Sequence, residues 1–330
     1  MINLNLKDSE NIAFIGDLHA DSKGHSSRID NIYDVLDMKL DSILDTCKKE
    51  NVKYIFFEGD IFNRVSCTHE IVNFIGKKFI EFNLNGIKLF TIVGNHDMLR
   101  NSLDGFSKSP LYTLISFNII KHINLANKVS INDSILITPV DYTEYPEKAD
   151  TENYSLNILL AHMFYNVSEL LSDKNHNISP ENVKEWGYDY IFLGHDHEDY
   201  KTLKLNTSYI IRTGSVVRGT SHSYNFTKVP KFTIVKNLYE FSETKDKKCI
   251  VLDYPVIKHA DFDSIVSEEA KRKNNKGFTI SGIRDMLNDL ANKLADDKHD
   301  SDDIIYEIIK NDENIPPKNK NIIFKYINEI

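Results

Sequence analysis

At 330 residues, with 41% hydrophobic and 27% charged side chains, the chain has the make-up of a soluble globular protein. That length accommodates one sizeable α/β domain and a smaller one. A net charge of −9 argues against holding nucleic acid by overall basicity, although an acidic metal centre with local basic patches is compatible with it. No apolar run approaches the roughly 20 residues of a membrane helix, and the start of the chain has no signal-peptide pattern. Cys47, Cys67 and Cys249 form no C-x-x-C pair, so reduced thiols and a cytoplasmic location are expected.

Six short apolar runs read as buried strands: "NIAFIGD" (11–17), "YIFFEGD" (54–60), "KLFTIVGNHD" (88–97), "SILITPVD" (134–141), "LNILLAH" (156–162) and "YIFLGHDH" (190–197). Between the first two, Ile32, Val35, Leu36, Leu40, Ile43 and Leu44 recur at helical spacing. A second helix is predicted at "CTHEIVNFIGKKFIEF", with Thr68 as its N-cap. Strand, helix, strand in succession points to α/β layering with helices on both faces. "CIVLDYPVI" offers one more strand, and "EEAKRKNNKG" reads as a charged linker. Beyond it, Ile280, Ile283, Leu287, Leu290 and Leu294 make a two-heptad apolar seam, followed by two shorter helical patterns.

Asp17, His19, Asp60, Asn95, His96, Asp97, His162, His195 and His197 all fall at or near the carboxyl ends of predicted strands, the edge where α/β sheets bind ligands. A site for two divalent cations needs three or four oxygen or imidazole ligands per ion and a bridging carboxylate. Asp17 and His19, two apart on an extended end, can point to the same side, and Asp60 is the natural bridge. Asn95 offers a neutral oxygen, and His162, His195 and His197 complete the two shells. Mixed nitrogen and oxygen ligation without thiolate favours Mn²⁺, Fe²⁺ or Zn²⁺ over Ca²⁺. Mn²⁺ is the leading expectation, with Mg²⁺ a further candidate.

The ordered set D-x-H, G-D, G-N-H-D, H, G-H-x-H, spread over residues 16 to 197, resembles the signature of the calcineurin-like metallophosphoesterases. The resemblance implies a four-layer α-β-β-α sandwich. It further implies one metal on Asp17, His19, Asp60 and His197 and a second on Asp60, Asn95, His162 and His195. His96 would protonate the leaving oxygen, with Asp97 orienting its ring, and water activated by the metals would attack phosphorus. Within that superfamily, "GDIFNRVSCTHEIVNFIGKKFIEFNLNGIKLFTIVGNHD" and "IIRTGSVVRGTSHSYN" (210–225) are similar to SbcD-type recombination nucleases. That narrower likeness implies a DNA exonuclease or endonuclease in an SbcC/SbcD-like repair complex. It would be a homodimer through helices near 68–82 and 109–117, bound to an SMC-like coiled-coil ATPase through its last helices. The corresponding division is a nuclease domain over 1–245, a capping segment over 246–270 and a partner-binding region over 271–330. SbcD-type chains usually carry histidine where this one has Asn63, which bears on exonucleolytic cutting.

Asn63, Arg64, Arg218 and His222 are candidate substrate contacts beside this site. Arg212, Arg218, Lys228 and Lys231, interleaved with Tyr224 and Phe226, suit either DNA phosphates and bases or a solvated strand edge. His25, His69, His122, His176 and His259 match no motif position. The alternative to a DNA nuclease is a stand-alone phosphodiesterase or phosphatase for small nucleotides.

Overall fold

The computed structural model describes residues 1–99, 102–165, 177–219 and 224–271. Met1–Ile265 form one compact unit and Val266–Ile330 a second. The seam from Ile280 to Leu294, the helical patterns after it and His222 lie outside the described residues.

In chain order the first half contains β1 (Ile2–Leu4), β2 (Asn11–Ile15), α1 (Ile32–Lys49), β3 (Val52–Phe57), α2 (His69–Leu84), β4 (Lys88–Thr91), α3 (Pro110–Ser116) and β5 (Lys121–His122). The second half opens with β6 (Val129–Ile131), β7 (Ile135–Val140), β8 (Leu156–His162), β9 (Phe164–Tyr165), β10 (Asn177–Ile178) and α4 (Pro180–Trp186). It continues with β11 (Tyr190–Gly194), β12 (Leu203–Leu205), β13 (Ser208–Ile211), α5 (Tyr224–Thr227), β14 (Thr233–Lys236), α6 (Leu238–Thr244) and β15 (Val251–Asp253). One sheet has the order β15-β14-β2-β3-β4-β5 and the other β1-β6-β7-β8-β11-β13-β12. Strands β2 to β5 are mutually parallel, as are β7, β8, β11 and β13.

Side-chain alternation explains the layering. In β2 and β3, Ile12, Phe14, Tyr54 and Phe56 face the second sheet, joining Ile158, Leu160, Tyr190 and Phe192 in one core. Phe14 lies face to face with Phe192 across the sheets, ring centroids 3.7 Å apart. The intervening Ala13, Ile15, Ile55 and Phe57 pack under Leu36, Leu40, Ile43, Ile75 and Phe79 of α1 and α2. On the far side Leu159, Ala161, Ile191 and Leu193 meet Val183 and Trp186 of α4. The order of layers is α-β-β-α. Because both faces of each sheet are covered, β2, β7, β8 and β11 are buried along their whole length and are mostly apolar.

Residues 246–265, assigned above to a capping segment, contribute β15, which pairs with β14 at the sheet edge, and Ile257, which joins the core under α1 and α2. Helix α1 is capped by Asn31, whose side chain accepts from the Tyr33 N–H, and α2 by Thr68, which accepts from Ile71. No helix among the described residues is long and apolar enough to cross a membrane. All three cysteines are free thiols.

One residue of the α1 stripe breaks the pattern. Lys39 is 2% exposed and its Nζ has no hydrogen-bond partner. Burial, reinforced by the charges of Arg218, Lys228 and Arg28, holds its amine well below the ordinary lysine value. Lys39→Met is expected to raise the unfolding free energy by about 1–2 kcal/mol, because it removes an unpaired buried donor of similar length. The unfolded chain binds the Lys39 proton more tightly than the folded one. The advantage of methionine should therefore be full at low pH and shrink as pH rises towards the ordinary lysine value. Denaturant unfolding of both proteins at several pH values measures this.

Candidate metal centre

The carboxyl ends of β2, β3, β8 and β11, with the loop after β4, converge on one edge. Backbone bonds set their register: the N–H groups of Leu18 and His19 donate to the Asp60 carbonyl (3.1 and 2.9 Å), and Ala20 donates to Ile61 (2.9 Å). The Asp17 carboxylate accepts the His195 N–H at 3.1–3.2 Å, which ties β2 to the loop after β11. His162, the last residue of β8, pairs in register with Gly194, the last of β11. His19, Asp60 and His195 all have positive φ (48°, 48° and 82°), an unfavourable conformation for residues with a Cβ, held here by these bonds.

Two groups of ligand atoms result, Asp17–His19–His197 and Asp60–His162–His195, each with its atoms within 4.8 Å of one another. His19, Asp60 and His96 form an overlapping third group. His19 Nε2 and His197 Nε2 are 2.8 Å apart, and Asp17 Oδ2 is 3.6–3.7 Å from each. On the other side His162 Nε2 is 3.3 Å from Asp60 Oδ2 and 3.0 Å from Asn95 Oδ1. Its Nδ1 lies 2.7 Å from the Glu58 carbonyl, which can only accept, so the proton sits on Nδ1 and Nε2 faces the cluster. Asp60 Oδ2 has no hydrogen-bond partner and stands between His162 Nε2 and His19 Nε2, 3.8 Å from the latter. That is the position of a bridging oxygen.

Close packing at Gly94 makes this possible. A Cβ there would lie 2.1 Å from Asp60 Oδ1. Gly94→Ala is expected to displace the Asp60 carboxylate and weaken divalent-cation affinity at least about 10-fold, the size of a disturbed ligand-support contact. Titration calorimetry with Mn²⁺ reads the loss.

The electrostatics favour positive charge. Burial pushes the His162 imidazole down, but the Asp60 and Asp17 carboxylates outweigh it and hold it up at about 10. His19 is also raised, burial again being outweighed by Asp17 and Asp60. His195 and His197 go the other way, to about 3 and about 4, through burial and the neighbouring His162 and His19 respectively. They are neutral imidazoles with lone pairs to offer. A donor set of two buried carboxylates, an amide oxygen and four imidazoles, with one carboxylate oxygen shared, fits a pair of divalent cations.

His96 lies beside this centre, its ring centroid 4.9 Å from that of His19 and its N–H donating to Asp60 Oδ1 at 2.9 Å. The structure corrects the expectation about Asp97. His96 Nδ1 sits 2.6 Å from the Asn63 carbonyl, whereas the buried Asp97 accepts the N–H groups of Phe62 (3.3 Å) and Gly94 (3.1 Å). Asp97 thus holds the two loops, and Asn63 orients the ring. Burial and the Asp60 charge raise the Asp97 carboxyl.

The candidate substrate contacts divide. Asn63 and Arg64 both reach Asp21, and the Arg64 side chain remains 56% exposed at the rim. Arg218 turns inward instead: it is 4% exposed, bonds the Ala260 carbonyl and covers the Phe262 ring at 4.8 Å. Substrate contact by Arg218 is therefore corrected to a packing role. Lys228 is buried too, donating to Ser215 Oγ (2.8 Å) and the His197 carbonyl, while Arg212 and Lys231 pair with Asp196 and Asp199.

Three neighbours escaped the sequence reading. Asp21 belongs to no motif and is found only through its partners. Glu58 is fully buried with both carboxylate oxygens unpartnered, and burial with the Asp17 charge raises it to about 8. Phe164, 40% exposed, lies 4.0 Å from the His195 ring by centroid. An aromatic two residues after the strand-terminal His162 was the available signal.

Residues 10–199 match the model of a protein family described as calcineurin-like phosphoesterase. Among curated proteins, an uncharacterized protein of Plasmodium falciparum is 27% identical over 167 residues, covering 49% of this chain but only 17% of that protein's length. Similar solved structures include a dimetal phosphatase from Danio rerio, at 13% identity, TM-score 0.48, and coverage of 77% of this chain and all of the other. The calcineurin-like phosphoesterase YfkN from Bacillus subtilis matches at 11% identity and TM-score 0.40, with 81% and 96% of the two chains covered.

Proposed function

Because the chain belongs to the calcineurin-like phosphoesterases, we propose that it is a two-metal DNA phosphodiesterase, the nuclease subunit of an SbcC/SbcD-like repair or recombination complex. The observation that carries the two-metal reading is Asp60 Oδ2, unpartnered and flanked by His19 Nε2 and His162 Nε2 from the two ligand groups. Asp17, His19, Asp60 and His197 would hold one cation, and Asp60, Asn95, His162 and His195 the other. When bound, such cations polarise phosphoryl oxygens and lower the pKa of water; Mn²⁺ suits the donor set.

The chain's own groups supply the rest. With Nδ1–H donating to the Asn63 carbonyl, His96 presents Nε2 as the atom that carries a proton to the leaving oxygen. Asp97 keeps the G-N-H-D loop against the loop after β3. Asp17, Asp60 and His162 are at most 1% exposed, while His197 and Arg64 lie at a more open rim of the site. Arg64, paired with Asp21 but 56% exposed, is a basic group at that rim for a substrate phosphate.

The DNA assignment draws on the SbcD-like stretches. A dimer through α2 and α3 draws on their exposed apolar side chains, Leu84 (82% exposed), Phe117 (74%), Ile80 and Tyr112. The apolar residues Ile304, Ile305, Ile308, Ile309, Ile322, Ile323, Phe324 and Ile327 support a coiled-coil ATPase partner for residues 271–330.

One observation favours the small-nucleotide reading: Arg218 and Lys228 are buried and Arg212 and Lys231 are paired, which reduces the basic surface near the site. Mn²⁺-dependent degradation of end-labelled linear DNA by the full chain separates the two. Cutting that vanishes in His96→Ala supports the nuclease. Intact DNA alongside hydrolysis of bis(p-nitrophenyl) phosphate transfers the assignment to small substrates.

A further inference from the structure

We infer that Asp21 is a positioning residue for His96, acting through the loop of Asn63 and Arg64. The inference rests on the phosphodiesterase reading above, in which His96 protonates the leaving oxygen.

Asp21 is 6% exposed and lies two residues past His19, in the loop that follows β2. Its Oδ2 collects three donors: Asn63 Nδ2 at 2.9 Å, Arg64 Nε at 2.9 Å and Arg64 Nη2 at 2.6 Å. Its Oδ1 accepts the Ser22 N–H at 2.7 Å, so both oxygens are committed to the two loops. The charge-assisted bonds to the guanidinium are the strong kind and are directional. Burial would raise the Asp21 carboxyl, but the bonds from Asn63 and Arg64 outweigh it and hold the group below its ordinary value.

These bonds close a frame around one carbonyl. Asn63 N–H donates to Ala20 (3.0 Å), and the preceding Phe62 N–H is held by Asp97 (3.3 Å). Beyond Asn63, the side chains of Asn63 and Arg64 are anchored on Asp21. The Asn63 carbonyl that emerges from this frame accepts from His96 Nδ1 at 2.6 Å. Without Asp21, residues 63 and 64 lie in a turn with no strand or helix to fix them, since β3 ends at Phe57 and α2 begins at His69. A carbonyl free to rotate away would release both the ring orientation and the tautomer of His96. A misplacement of about 1 Å at a reacting group can lower turnover about 100-fold. None of the ligand groups is bonded to Asp21, so the metal centre should be indifferent to it.

General-acid assistance has a chemical signature that simple damage lacks. It matters more for a poor leaving group than for a good one. The test uses the full chain with Mn²⁺ and two diesters of thymidine 5′-monophosphate, one releasing p-nitrophenol and one releasing the more basic phenol. Asp21→Ala should lower the rate on the phenyl ester much more than on the p-nitrophenyl ester, changing the ratio about 10-fold in the same direction as His96→Ala. Mn²⁺ affinity should match wild type. Asp21→Asn, which keeps an oxygen to accept from Asn63 but lacks the charge for Arg64, should recover part of the ratio and guards against a folding defect in the alanine variant. Equal losses on both esters, or a loss of Mn²⁺ affinity parallel to the loss of rate, would overturn the inference. A wild-type chain that binds Mn²⁺ but cleaves neither ester would instead overturn the phosphodiesterase reading, and the inference with it.

Discussion

Replacing Asp60 by alanine is expected to abolish cation binding in both ligand groups at once and to lower phosphodiester turnover about 1,000-fold or more. The figure follows from the several kcal/mol of charge stabilisation that a bound cation contributes, at about 1.4 kcal/mol per factor of ten. Asp60 is singled out because its Oδ2 lies near a histidine nitrogen of each group, 3.8 Å from His19 Nε2 and 3.3 Å from His162 Nε2. The variant should still fold, since the bonds from Leu18 and His19 go to the Asp60 backbone carbonyl, which alanine keeps. A readout on the metal-free protein accompanies it. The His162 imidazole, held at about 10 chiefly against burial by Asp60, should titrate markedly lower in Asp60→Ala. NMR titration of the histidine ring protons follows this. Unchanged His162 titration, or retained binding of two cations, would remove Asp60 from its bridging position.

The second large effect belongs to His96→Ala, expected to lower turnover about 100- to 10,000-fold, the usual share of a positioned general acid. Cation affinity should persist in that variant, because the contact from residue 96 to Asp60 Oδ1 is made by its backbone N–H, which alanine retains. Steady-state kinetics together with Mn²⁺ calorimetry separate the two effects. A loss of affinity equal to the loss of rate would make His96 a ligand, in line with the His19–Asp60–His96 grouping, and not an acid.

The clustering of the candidate metal ligands was legible in the sequence because they are tied to strand ends. Where an apolar run stops at "GDLH" or "GHDH", the parallel sheet dictates the edge on which those side chains emerge, so ordered motifs translate into a common site. Strand β8 was predicted with its observed bounds, Leu156–His162, because both its faces are buried. Other features were hidden for physical reasons. Strand β14 has only four residues and pairs antiparallel with β2 at long sequence separation, which no local pattern announces. Lys39 occupies a position of the α1 stripe that periodicity alone assigns to an apolar residue. The orientation of His96 by a backbone carbonyl, in place of Asp97, depends on a loop whose course no side-chain pattern encodes. Arg218 read as a free cation and proved to be a buried one, because its partners are the Ala260 carbonyl and the Phe262 ring, some forty residues away.

Two cations held by the two ligand groups would share the Asp60 carboxylate. Electron paramagnetic resonance of the full chain loaded with Mn²⁺ tests it most directly. A carboxylate-bridged pair should give the broadened, exchange-coupled spectrum of a dinuclear centre, which disappears in Asp60→Ala. The resolved hyperfine pattern of isolated Mn²⁺ ions in the wild-type chain, or no bound Mn²⁺ at all, would contradict the account.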